Sequence, residues 1–261
     1  MSTPLIFKFG GASVKDAASV KNVAKIIALF AQRPMVVVVS AMGKMTNAFE
    51  EVVGHWSTNE LGLAREKIGA IREYHFTIIE ALFADSTLVK AEVQELIDQL
   101  SKGIDKMECS YSEAYDYIVH HGKLISTKII AAYVGIETPT VWQDPRFLIH
   151  TDGHFSRATV HWEETTQAIL KRIDPGKVNV VQGFIGASST GKPTTLGREG
   201  SDYTGAVFAF CLGADSLTIW KDVPGMLNAD PKTFQNTTKI DRLPFNEAIE
   251  LAFYGASIIH P

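Results

Sequence analysis

PLIFKFGGAS, residues 4–13, joins a short apolar run to two glycines, Gly10 and Gly11, and Ser13 then leads into Val20, Val23, Ala24 and Ile27 at helical spacing. Strand, glycine turn and helix follow one another. The next apolar run, MVVVV at 35–39, is β-branched and continuous, as expected of a strand buried on both faces of a parallel sheet. A βαβ unit therefore opens the chain. From Asn47 to about Val134 the character changes to long amphipathic stretches, such as 91–100 and 112–118, which read as a helical layer or insertion. Strand-like runs return at 140–142, 178–184 and 216–220, with a helix between Asp202 and Leu212. The alternation of β and α predicts an α/β sandwich.

No proline- or glycine-rich linker divides the 261 residues, so one domain with a helical insertion over about 47–134 is expected. Near the end, Asn246 is placed to cap a helix running through Ile249 and Leu251 to Tyr254, and Gly255 to end it. Ile258 and Ile259 then look like the start of a strand that stops at Pro261, so the expectation is a domain truncated at its carboxyl end.

Composition narrows the class. With 46% hydrophobic and 21% charged residues the chain is an ordinary globular one, and 25 basic against 29 acidic residues give a net charge of −4 with no block of like charge. Nucleic acid is not an expected partner. Two cysteines, Cys109 and Cys211, indicate no disulfide framework and fit a reducing cytoplasm. The amino terminus lacks a basic region followed by a long apolar stretch, and no apolar run is long enough to span a bilayer. A cytoplasmic protein that engages no membrane is expected.

Four glycine-bearing turns follow the expected strands. In the first, Lys8 stands beside Gly10 and Gly11, whose amides could face an anion; a tight turn with a surface lysine is the bland alternative. The second, residues 40–47, places Ser40 and Thr46 at the carboxyl edge where open α/β sheets bind ligands, although both hydroxyls could simply satisfy turns and caps. The third runs from Gly183 and Phe184 to Arg198, Ser201 and Asp202. A guanidinium there could fork onto a carboxylate, and Asp202 could orient Lys8 or a metal-bound phosphate; Ser201 and Asp202 are equally good helix starters. The fourth, residues 221–232, is a rigid Pro-Gly turn with an apolar tip and flanking charges that would suit a purine and its phosphates. His120 and His121 are adjacent and cannot share one helix face, so no metal site is expected of them, and Trp142, Trp162 and Trp220 are expected in the core.

In order and spacing, KFGGAS, SAMGKMTN, GFIG, GREGSDYTGA, DVPGMLNADP and the closing YGASIIHP resemble the motifs of aspartate kinases within the amino acid kinase family. The resemblance spans residues 5–261 and implies a three-layer αβα sandwich with a mostly parallel sheet. It also implies transfer of the γ-phosphoryl of ATP, with Mg2+, to the β-carboxylate of L-aspartate, the first step toward lysine, threonine and methionine. Carried over by position, Lys8, Gly10 and Gly11 would contact the transferring phosphoryl, and Asp202 would organise the centre. Ser40, Thr46, Phe184, Arg198 and Ser201 would line the aspartate site, with Lys221, Asp222, Leu227, Lys232 and Ser257 on the nucleotide side. Ligand-sensing carboxyl-terminal domains are expected to lie outside this chain, and the full-length protein is expected to be a homo-oligomer.

The sequence departs from the family pattern at four of these places. Lys123 stands where a glutamate usually meets the substrate ammonium, and its head is expected to swing away to water. Ser257 replaces a lysine, Lys221 a threonine and Leu227 a tyrosine. Two other readings therefore stand beside aspartate kinase: a kinase of another carboxylate or carbamate on the same fold, or a weakly active nucleotide-binding regulatory domain.

Overall fold

Strands β1 (Leu5–Phe9) and β2 (Met35–Val39) pair in parallel, with Leu5 opposite Met35 and Lys8 opposite Val38. A parallel pair needs a crossover, and α1 (Ala17–Phe30) supplies it; the Asp16 side chain caps α1 by accepting from Ser19 N at 2.7 Å. The computed structural model describes residues 3–197, 200–231 and 233–256. They fall into two compact units, Met1–Trp220 and Lys221–Pro261.

In the first unit, four helices follow β2: α2 (Met45–Ser57), α3 (Leu61–Leu82), α4 (Thr87–Ile104) and α5 (Tyr111–Val134). After them come β3 (Thr140–Gln143), β4 (His150–Thr151), α6 (Trp162–Arg172), β5 (Val178–Gln182), β6 (Ile185–Ser188), β7 (Pro193–Thr195), α7 (Gly200–Cys211) and β8 (Leu217–Trp220). The main sheet has the order β3-β5-β2-β1-β8 and every neighbouring pair is parallel. A small second sheet, β4-β6-β7, carries an antiparallel β6–β7 pair.

Side-chain alternation sorts the core into two layers. Phe7, Phe9, Val37, Val39 and Val180 pack with α1, α2 and α5, whereas Ile6, Val36, Val38 and Val181 pack with Ile169 of α6 and with Val207 and Phe208 of α7. Helices thus cover both faces, and every residue of β2 is buried, as a central parallel strand requires. The protein is an α/β fold of three layers.

The loops after β1 and β2 meet at Gly11. A Cβ there would sit 2.6 Å from Gly43 O and 2.7 Å from Ala41 O, and Gly11 O already accepts from Gly43 N at 2.9 Å. Because both obstacles are backbone, Gly11→Ala is expected to cost about 1–3 kcal/mol by overpacking. A thermal midpoint unchanged by the substitution would show that these loops separate freely.

In the second unit Leu227 and Lys239 form an antiparallel bridge, flanked by bonds from Asn228 N to Thr238 O and from Ile240 N to Met226 O. Helix α8 (Phe245–Phe253) closes it. Asn246 was the expected cap, but Pro244 occupies that position and no side chain bonds the helix start, because proline at this point already fixes the entry of the chain. Gly255 takes a positive φ of 110° beyond the helix end, while Ile258 and Ile259 lie outside the described residues. Among the described residues, no helix is long and apolar enough to cross a membrane.

Trp142 and Trp220 pack against the core as expected. Trp162 does not: it is 43% exposed and makes an edge-to-face contact with exposed Phe210, since the first residue of α6 lies at the rim of its layer.

Candidate active site

The sheet's own alternation aims Lys8. It follows Ile6 by two residues on β1 and therefore faces the α7 layer, where its Nζ lies 2.6 Å from Asp202 Oδ1 in the first turn of α7. The two side chains are 5% and 10% exposed. The positive end of α7 favours a carboxylate there. Neither Asp202 oxygen has a hydrogen bond of good geometry, so the lysine contact leaves the carboxylate with acceptor capacity for another cation or donor. Nζ of Lys8 also lies 3.8 Å from the point that a Cβ on Gly10 would occupy, so the ammonium sits over the glycine turn.

Above this pair, at the carboxyl ends of β1 and β2, is a cavity of about 620 Å³. It brings together Lys8, Ser40, Thr46, Lys123, Phe184 and Ser201 from four separate stretches of the sequence. Gly10 and Gly11 lie in the turn after β1 and Asp202 behind Lys8, rather than on the cavity wall. Lys221, Asp222 and Leu227 belong to the second unit. Arg198, Lys232 and Ser257 lie outside the described residues.

Two of the three described non-glycine residues with positive φ, Phe184 at 80° and Ser156 at 68°, are on the cavity wall. Such conformations cost about 1–3 kcal/mol each and persist where neighbouring bonds impose them. At Phe184 the backbone N donates to Thr204 Oγ1 at 2.8 Å and the carbonyl accepts from Leu196 N at 2.9 Å. Gly183 permits this approach, since a Cβ there would lie 2.5 Å from Ser201 Cβ.

Lys123 departs from expectation. Its side chain does not swing to water: the residue is 6% exposed and its ammonium lies 5.2 Å from the centroid of the Phe184 ring, inside the cavity wall. This stretch of α5 is buried nearly all round, which removes the route to solvent that a lysine stem would use on an amphipathic helix. The aromatic face offers the cation a partner in place of water.

Sequence reasoning missed Glu50, Tyr115 and Ser156, all of which line the cavity. Tyr115 OH donates to Glu50 Oε1 at 2.9 Å, and burial together with this carboxylate pushes the phenol's pKa up, so the hydroxyl remains a donor. The available signal for Glu50 was its position four residues after Thr46 on α2, hence on the same face.

The cavity thus combines cations, Lys8 and Lys123, with the hydroxyls of Ser40, Thr46 and Ser201, and Lys8 sits between it and the glycine turn, a setting suited to anionic small molecules. The chain belongs to the amino acid kinase family, whose model matches residues 3–261. It is 37% identical to "Aspartokinase 1, chloroplastic" of Arabidopsis thaliana over 98% of this chain and 46% of that one. A crystal structure of Escherichia coli aspartokinase III with lysine and aspartate superposes with a TM-score of 0.89 at 32% identity, covering 100% of this chain and 58% of that one. The same enzyme with aspartate and ADP gives 0.86 at 31% identity, with the same coverage of both chains. The chain thus spans about half the length of the curated relatives it matches.

Proposed function

We propose that the cavity is where the γ-phosphoryl of ATP passes to the β-carboxylate of L-aspartate, giving 4-phospho-L-aspartate and ADP. The observation that carries this is the buried Lys8–Asp202 pair at the cavity, in a chain that superposes on a solved relative holding aspartate and ADP. A carboxylate acceptor, with a pKa near 4, is already ionised at neutral pH and needs no general base. What the transfer needs is positive charge along the path of the phosphoryl oxygens, and Lys8 supplies it, held in place by Asp202.

Among the described residues no group of three or more His, Cys, Asp or Glu gathers around a metal position, while Asp202 has oxygens without hydrogen-bond partners. Asp202, with that spare acceptor capacity, would be the carboxylate to hold magnesium arriving with the nucleotide, and the ion would supply positive charge to the transferring phosphoryl. On the acceptor side, Ser40, Thr46 and Ser201 offer hydroxyls and Arg198 a guanidinium for the α-carboxylate. With Lys123 in the wall, Glu50 is the carboxylate that receives the substrate ammonium, fixed by its bond from Tyr115. The nucleotide side falls to Lys221, Asp222, Leu227, Lys232 and Ser257. The setting is read as cytoplasmic, and the full-length protein as a homo-oligomer. Phosphorus NMR of ATP, magnesium and L-aspartate with the full-length protein tests the reaction. An acyl phosphate resonance that requires L-aspartate is expected, and its absence while ATP is consumed would refute the transfer.

The cation at Lys123 favours a second reading, an acid acceptor without the ammonium. L-aspartate and succinate differ only in that group, so Lys123→Glu isolates its environment. The substitution is expected to raise the kcat/KM ratio of L-aspartate over succinate about tenfold or more. An unchanged ratio would place the ammonium elsewhere, and a parent protein that prefers succinate would establish the second reading.

A further inference from the structure

Asp116 stands on α5 two helical turns before Lys123 and is fully buried, yet it is not on the cavity wall. Its Oδ2 accepts from Ser156 N at 2.8 Å and from Thr195 N at 3.0 Å, and its Oδ1 accepts from Thr195 Oγ1 at 2.6 Å. These donors come from two segments that are 40 and 79 residues away in sequence. Both segments build the wall: Ser156 lines it with a φ of 68°, and Gly197, two residues beyond Thr195, lines it with a φ of 81°. Thr195 O in turn accepts from Ala158 N at 3.0 Å, so the two segments are also tied to each other.

We propose that Asp116 is a positioning residue for the acidic substrate, holding Ser156 in its left-handed conformation and the end of β7 in register so that the wall facing the acceptor keeps its shape. The proposal rests on the reading of the cavity as an acceptor site. Among the described residues no cation stands at ion-pair distance from Asp116, and the three hydrogen bonds of its carboxylate all go to the two wall segments. No hydrogen bond among the described residues joins these segments to Lys8 or to the glycine turn, where the nucleotide's phosphates are placed in this reading. Loss of the carboxylate should therefore weaken acceptor binding far more than nucleotide binding.

The test uses full-length protein with Asp116→Ala, Asp116→Asn and Thr195→Val. Asp116→Ala is expected to raise KM for L-aspartate about tenfold or more through misplacement of the wall, and to leave KM for ATP within roughly twofold. Asp116→Asn keeps one oxygen for the two backbone donors and should recover most of the affinity. Amide exchange at Ser156 and Thr195 should quicken in the alanine variant and stay close to the parent in the asparagine variant. If Asp116→Ala does not fold, Thr195→Val removes one donor alone and should still raise the aspartate KM selectively. A lowered thermal midpoint with both KM values unchanged, or a parallel rise in both, would reduce Asp116 to a structural role and overturn the proposal. A parent protein that phosphorylates another acid instead of L-aspartate would refute the substrate reading, while the same KM split measured on that acid would still decide the role of Asp116.

Discussion

Replacing Lys8 with alanine is expected to lower kcat about 10²–10³-fold, the size of effect seen when one preorganised donor to a charged transition state is lost. KM for ATP should move far less, because the ammonium acts where charge develops during transfer and not on the whole nucleotide. The same change leaves Asp202 buried and unpaired, which costs about 3–5 kcal/mol of stability. Lys8→Arg separates the two effects. It keeps a cation for Asp202 and should fold, but its longer planar head spreads the charge away from the point that the Lys8 ammonium holds beside Gly10, so turnover should still fall steeply. A folded Lys8→Arg protein with parental turnover would remove Lys8 from the chemistry.

Acid is expected to destabilise the protein steadily from about pH 6.5 downward. His75, His120 and His121 are buried, and each Nδ1 bonds the carbonyl four residues earlier on its helix, of Ile71, Asp116 and Tyr117 respectively. A carbonyl only accepts, so Nδ1 carries the proton of a neutral ring. Burial lowers His75 and His121 to about 4 and His120 well below its ordinary value, with the His121 and Arg146 charges adding to the effect at His120. For a histidine with a depressed folded pKa, stability is complete above about pH 6.5 and is lost as the pH falls toward 4, because the unfolded chain binds the proton. His75 and His121 each account for about 3 kcal/mol across that window. Asp116 opposes them: burial lifts it to about 6, so the fold gains from its protonation between about pH 6 and 4. Three histidines outweigh one carboxylate. Urea midpoints should therefore drop steeply from pH 7 to pH 5, and His75→Leu should flatten the slope by one proton; a midpoint independent of pH would contradict neutral burial.

The opening βαβ unit was legible because its signals are local. Continuous β-branched residues at 35–39 and two glycines after Phe9 specify strand and turn without reference to anything distant. The β6–β7 hairpin and β4 were not, since strands as short as Pro193–Thr195 and His150–Thr151 carry too few residues to show a period. Helix α5 hid more. Amphipathic reading sends the head of Lys123 to water, but α5 is covered by α2, α4 and the sheet, so polar residues along it, His120 and His121 included, are buried and must find partners there.

The site divided along the same line. Lys8 and Asp202 could be paired on paper because each sits at a strand end or helix start with glycines beside it. Glu50 and Ser156 could not, because their membership of the wall depends on how α2 and the loop before α6 pack. Asp116 was invisible for the plainest reason: its donors are backbone groups, which leave no mark in a sequence.

Hydroxylamine trapping tests transfer to aspartate most directly, because it converts an acyl phosphate into a stable hydroxamate. Full-length protein given ATP, magnesium and hydroxylamine is expected to release ADP and form the β-hydroxamate of aspartate in equal amounts when L-aspartate is present, and to form neither with carbamate or succinate. Hydroxamate from succinate with none from L-aspartate, or ADP released without any hydroxamate, would contradict that transfer.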